Sequence, residues 1–155
     1  MAIMRAQDAV KGSAAECFVT IGDNRYNLMT LINFESTLSF SNAQIKRLGA
    51  GMIGHKQGDA EGKWSAKGYY GTPMLKKVLY DYHQTGIFPS IEIQVTNDDK
   101  TSKFGKQTVT HKECLIDEAV LAKFDASSEY IEEDIKGTFD DWEIPEQFVI
   151  PESMK

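Results

Sequence analysis

Ile32-Asn33-Phe34-Glu35-Ser36-Thr37-Leu38-Ser39-Phe40-Ser41 carries Ile32, Phe34, Leu38 and Phe40 at even positions, with Asn33, Glu35, Thr37, Ser39 and Ser41 between them. Successive side chains of an extended chain point to opposite faces, so period two describes a strand with one dry face and one wet face. The wet face is small, mostly hydroxyl-bearing, and holds a single acid. Such a face suits a wall against water.

Working outward, residues 15–21 are rich in strand formers, and Gly22-Asp23-Asn24 marks a turn into residues 25–29, which reads as a hairpin. Residues 43–48 are expected to return beside the central strand. Residues 63–70, 91–96, 107–116, 119–124 and 130–139 read as further strands, the last broken by Gly137. One helix is marked. Thr72 can cap it, Pro73 suits its first position, Leu75, Val78, Leu79 and Tyr82 repeat at helical spacing, and Gly86 can stop it. Its single apolar stripe predicts a helix lying on a sheet at the outside of the fold. Strands and helices do not alternate, which excludes a doubly wound parallel sheet. The fold class expected is mainly β, a two-sheet antiparallel β-sandwich or barrel with one flanking α-helix.

Residues 49–62 interrupt this pattern. Gly49, Gly51, Gly54, Gly58 and Gly62 punctuate the segment, and Met52 and Ile53 are its large apolar residues, beside His55 and Lys56. A long segment without regular structure is uncommon in a compact domain and usually functional or disordered. Gly49-Ala50-Gly51-Met52-Ile53-Gly54 matches G-x-G-x-x-G, but a dinucleotide site needs a buried strand before it and a helix after it. Gln44-Ile45-Lys46-Arg47 precedes it and His55-Lys56-Gln57-Gly58 follows. A mobile glycine loop is the better reading.

The 155 residues suit one domain, with arms expected at about 1–14 and 146–155. The first residues hold no apolar run of the roughly 7–15 a secretory leader needs, and no stretch of about 18 could span a bilayer. The expectation is a cytoplasmic product with no membrane anchor. Cys17 and Cys114 stand in apolar, strand-like contexts, as buried reduced thiols do. The net charge of −6 is unevenly spread: residues 1–116 hold 14 Lys/Arg and 11 Asp/Glu, residues 117–155 hold 3 and 12. The acidic end argues against a general nucleic-acid binder. Either it is a solvated face, or the subunit has oppositely charged ends that associate head to tail; composition does not choose.

Chemistry is sparse. His111 and Cys114 lie three apart in a strand and so point to opposite faces, and neither C-x-x-C nor H-E-x-x-H occurs. His83 near the helix end is accounted for by the dipole. There is no G-x-S-x-G elbow, and Glu129, Glu132, Glu133 and Asp134 match no calcium-loop template. No catalytic, cofactor or metal site is expected, and aromatic residues such as Trp64, Tyr69 and Tyr70 are read as packing.

Several segments together resemble the tail tube proteins of contractile phages, defective prophages and R-type bacteriocins, the XkdM-like subgroup best. These are Ile32-Asn33-Phe34-Glu35, then Met52-Ile53-Gly54-His55-Lys56, Tyr69-Tyr70, and Lys77-Val78-Leu79. Most specific is Glu132-Glu133-Asp134-Ile135-Lys136-Gly137-Thr138-Phe139-Asp140-Asp141-Trp142-Glu143-Ile144-Pro145-Glu146. The resemblance implies hexameric rings whose strands join into one β-barrel around a lumen, stacked into a tube inside a sheath. It also implies baseplate and tail-terminator partners, a tape-measure protein in the lumen, and DNA passage if the particle is a phage. Asn33, Glu35, Thr37, Ser39 and Ser41 would face the lumen, and residues 49–62, with the N- and C-terminal arms, would bridge subunits and neighbouring rings. A type VI secretion tube protein is the alternative within this fold, and a small OB-like binding module is the alternative outside it.

Overall fold

The computed structural model describes residues 3–155. In chain order its strands are β1 (Ala15–Ile21), β2 (Asn24–Asn27), β3 (Leu31–Phe40), β4 (Ala43–Ile45), β5 (Gly54–Lys56) and β6 (Ala60–Tyr69). After the helix α1 (Met74–Thr85) come β7 (Ile91–Asp98), β8 (Lys106–Lys112), β9 (Leu115–Ala119), β10 (Glu132–Phe139) and β11 (Asp141–Glu146). They form a five-stranded sheet in the order β11-β8-β7-β1-β2, a four-stranded sheet in the order β3-β6-β10-β9, and a separate two-stranded ribbon, β4-β5. Every pairing is antiparallel. This is the mainly-β, two-sheet architecture with one helix that the alternation predicts.

The core lies between the two large sheets. Val19, Ile91 and Ile93 enter it from one sheet, Trp64, Ala66 and Phe139 from the other, and Leu75 and Val78 from α1. Each large apolar side chain buried this way contributes about 1.5–3 kcal/mol. Trp64 stacks on Phe34 with ring centroids 6.1 Å apart, and its indole N–H donates to the Thr138 carbonyl at 3.2 Å. The ring thus fills the core without orphaning its polar atom. Cys17 and Cys114 are buried and unpaired. On β3, Phe34, Ser36 and Leu38 turn inward, while Ile32 and Phe40 remain about half exposed, at 46% and 49%. A register shift between Leu31 and Asn33 is the reason for Ile32.

Several segments differ from the sequence expectation. Residues 107–116 are not one strand. At Glu113 the backbone turns left-handed (φ 53°), Cys114 donates its N–H to the Ile91 carbonyl at 3.1 Å, and the chain passes from β8 in one sheet to β9 in the other. Residues 107–116 contain no glycine or proline, so the sequence carries no turn signal at the change of sheet. The chain crosses back at Asp140, and residues 141–146, which lie beyond the last strand expected from the sequence, form β11 on β8. Pro145 is tolerated because β11 is an edge strand whose register shifts between Glu143 and Glu146.

The strand expected over 119–124 is absent, since β9 ends at Ala119 and residues 120–131 form a loop. Asp125 there accepts the Ser127 N–H at 3.0 Å and the Ser127 and Ser128 hydroxyls at 2.6 and 2.9 Å, a turn in place of a ladder. Residues 43–48 do not return beside β3, because β4 pairs with β5. Thr72 does not cap α1; its hydroxyl bonds that of Thr30 at 2.6 Å. Gly86 ends the helix, its N–H reaching the Tyr82 carbonyl. Lys76 pins α1 to the four-stranded sheet, with Nζ 2.8 Å from Glu133 and 3.9 Å above the Tyr70 ring.

Candidate functional site

The outer face of the four-stranded sheet is built from three alternations in register. Asn33, Glu35, Thr37 and Ser39 of β3 are exposed and stand opposite Lys67, Ser65, Lys63 and Glu61 of β6. Beyond them, β10 presents Glu132, Asp134, Lys136 and Thr138, with Glu118 of β9 opposite Lys136. Ser41, just past β3, is also exposed, and its N–H bonds the Asp59 carbonyl at 3.0 Å. The four β3 positions therefore share one face, and the structure adds residues from β6, β9 and β10 that the sequence reading did not single out. The same period-two count applied to residues 60–69 and 132–139 finds them.

Electrostatically this face is mixed. Lys67 lies 3.4 Å from Glu132, Lys136 3.1 Å from Glu118, and Lys63 3.9 Å from Glu61. Glu35 and Asp134 have no cationic partner among the described residues. The lysines of β6 and β10 thus offset three of its carboxylates, Glu61, Glu132 and Glu118. Both borders of the sheet are open: among the described residues, β3 and β9 each have one unpaired edge. Open edges carry rows of free N–H and C=O groups that template further strand addition.

The glycine segment divides in two. Residues 43–56 form an arm, the β4-β5 ribbon, with Gly49 and Gly51 at its turn, Met52 and Ile53 exposed beyond it, and Gly54, His55 and Lys56 forming β5. Its base is fixed by the Gly58 N–H on Asn42 Oδ1 at 3.2 Å. Gly62 does not belong to the loop. It lies in β6, buried, and a Cβ there would come within 2.6 Å of the Phe139 ring. Glycine was read as loop where it makes room for an aromatic ring on the neighbouring strand of the same sheet.

The termini are tied down where the structure describes them; the first two residues of the expected N-terminal arm lie outside the described residues. Asp8 is buried, bonded by Arg5 Nε and Nη2 at 3.1 and 2.8 Å and by the Lys103 N–H at 3.1 Å. The Arg5 guanidinium holds its carboxyl down to about 2. Near the other end, the Val149 N–H bonds the Phe104 carbonyl at 2.8 Å, and Phe148 meets the Phe104 ring.

Residues 2–146 match the family model described as phage tail tube protein. The chain belongs to the phage tail tube protein family. This tail tube protein is 30% identical over 144 residues to YqbM of Bacillus subtilis (strain 168), a protein named as uncharacterized, covering 93% of this chain and 95% of that one. It is 29% identical over 144 residues, with the same coverage of 93% and 95%, to the phage-like element PBSX protein XkdM of that organism. In three dimensions the tail tube protein is similar to a chain of the tube-terminating cap of the anti-feeding prophage. The TM-score is 0.68 at 14% identity, over 96% of this chain and 95% of that one, a likeness of fold.

Proposed function

We propose that this protein is the structural, non-catalytic subunit of the inner tail tube of a contractile phage tail or phage-tail-like bacteriocin. Six copies form a ring, and rings stack into a hollow tube inside a sheath. The observation that carries this reading is the four-stranded sheet of a tail tube family member, with one face largely polar and both edges unpaired among the described residues. Ring closure joins β3 of one copy to β9 of the next, which satisfies both rows of backbone groups at once. The polar face then lines the lumen, with Asn33, Glu35, Thr37, Ser39 and Ser41 along the seam. Its paired charges and its leftover acids, Glu35 and Asp134, give a passing polyanion no continuous basic track to bind. The five-stranded sheet and α1 face outward to the sheath. Baseplate and terminator proteins cap the ends, and the lumen holds the tape-measure protein and, in a phage, DNA.

Negative-stain imaging and size-exclusion chromatography of the purified chain test this reading. Rings or tubes of uniform diameter are expected. A stable monomer at high concentration overturns it.

A further inference from the structure

The inward row of β6 is Gly62, Trp64, Ala66 and Gly68, a single large side chain among small ones. Neighbours close over both glycines. The Phe139 ring lies over Gly62, and the Thr30 carbonyl with the Leu31 side chain lies over Gly68. Between them, the short side chain of Ala66 borders a cavity of about 40 Å³. Val19 and Ile93 bound it from the five-stranded sheet, Phe34 and Trp64 from the other sheet, and Leu75 from α1. Protein interiors hold few voids larger than a water molecule, so this one is a defined feature of the core.

A buried water needs about 10–15 Å³ and roughly two to four polar partners. Here the volume suffices, but the partners are taken. Trp64 donates its indole N–H to the Thr138 carbonyl at 3.2 Å, the Thr30 and Thr72 hydroxyls bond each other at 2.6 Å, and Lys76 Nζ lies 2.8 Å from Glu133. Asp134 borders the cavity, but its side chain turns outward with the polar face. No buried side-chain nitrogen or oxygen among the described residues lacks a partner. The cavity is therefore dry and apolar, the condition under which an engineered pocket of about 150 Å³ takes benzene or xenon. We propose that it is a binding site for one small apolar molecule, of the size of a xenon atom and smaller than a benzene ring. Val120, Lys76 and Glu133 are half-buried members of its lining and mark the way in, beside α1. The site belongs to the single subunit and does not depend on the tube reading.

Xenon is the probe, read on the whole purified chain by methyl NMR spectra under rising xenon pressure. The methyl signals of Val19, Ala66, Leu75 and Ile93 should shift and saturate, while exposed methyls such as those of Val149 drift in proportion to pressure. Ala66→Val replaces a methyl by an isopropyl group, in a strand that suits branched side chains, and should abolish the saturable shifts at the other three residues. Should that variant fail to fold, the wild-type map decides, because saturable shifts spread over the surface overturn the site. Leu75→Ala enlarges the cavity by an isopropyl group. Benzene should then raise its melting temperature, as a ligand that binds only the folded state does, and leave the wild type unchanged. No saturable shift in the wild type, a saturable shift that survives Ala66→Val, or benzene that stabilises the wild type no less than Leu75→Ala would each overturn the proposal.

Discussion

Ser36 of β3 and His111 of β8 meet across the sandwich, with the serine Oγ 2.8 Å from the imidazole Nε2. On the far side of the ring, Nδ1 lies 3.0 Å from the Ile93 carbonyl. A carbonyl only accepts, so Nδ1 carries the proton and Nε2 accepts from the serine hydroxyl. The Phe34 and Phe139 rings stand 5.5 and 4.9 Å from the imidazole. The two sheets are thereby joined by one fully satisfied polar link inside an apolar core. Ser36→Ala leaves Nε2 buried without a partner and is expected to cost about 1–3 kcal/mol in chemical denaturation.

Burial holds the His111 imidazole below its ordinary pKa, with the bond to Ile93 opposing in part. An unfolded chain takes up this proton near pH 6.5, and the folded one resists it. The unfolded state therefore binds more protons as pH drops, so stability is full above about 6.5 and declines as pH falls toward the lower folded value. The slope from this residue is at most about 1.4 kcal/mol per pH unit. Urea midpoints at pH 7.5, 6.5 and 5.5 should show it, and His111→Gln should flatten the profile.

Gly137 sits where β10 shifts register against β9. A Cβ there would meet the Leu115 carbonyl oxygen at 1.8 Å and Trp64 Nε1 at 2.9 Å. Backbone cannot yield as a side-chain tip does, so Gly137→Ala is expected to destabilise by about 3 kcal/mol, the upper part of the usual overpacking range. A lower urea midpoint at unchanged m-value would register it.

Burial pushes the Cys17 and Cys114 thiols up to about 12. The thiolate is the reactive species. Native protein at pH 8 should therefore resist a thiol reagent, and both cysteines should react on unfolding. Rapid labelling of either in the folded chain would contradict the packing.

Asp8 behaves in the opposite pH range. Its carboxyl is held at about 2, chiefly by the Arg5 side chain. The folded value lies below the unfolded one, so its contribution is complete above about pH 4 and lost as pH falls toward 2. The N-terminal segment should stay docked from pH 8 to 4. Asp8→Asn should speed tryptic cleavage after Lys11 at neutral pH without lowering the melting temperature of the core.

The sandwich was legible because alternation in residues 15–21, 32–41, 63–70 and 91–96 is a local property, and the helix because its spacing and Gly86 are local too. What escaped the reading is non-local. Whether His111 meets Ser36, whether Gly62 faces a ring or open water, and whether residues 107–116 stay in one sheet depend on partners far away in the chain. The wet face of β3 was legible residue by residue, whereas its charge balance was not, because Lys63, Lys67 and Lys136 reach it from other strands. The arm was visible as a glycine-rich break, but its ribbon is three residues on each side, too short for periodicity to register.

The paired crossings at Glu113 and Asp140 also have a mechanical meaning. β9 and β10 are neighbours in the four-stranded sheet, and their continuations β8 and β11 are neighbours in the five-stranded one. The same two antiparallel segments thus form a single ribbon folded from one layer into the other. A push along the four-stranded sheet passes to the five-stranded one through covalent backbone at two adjacent points, besides side-chain packing. Under a load along the strands, the two sheets resist shear there by the strength of the chain itself, with strand pairing on both sides of the fold to spread the force.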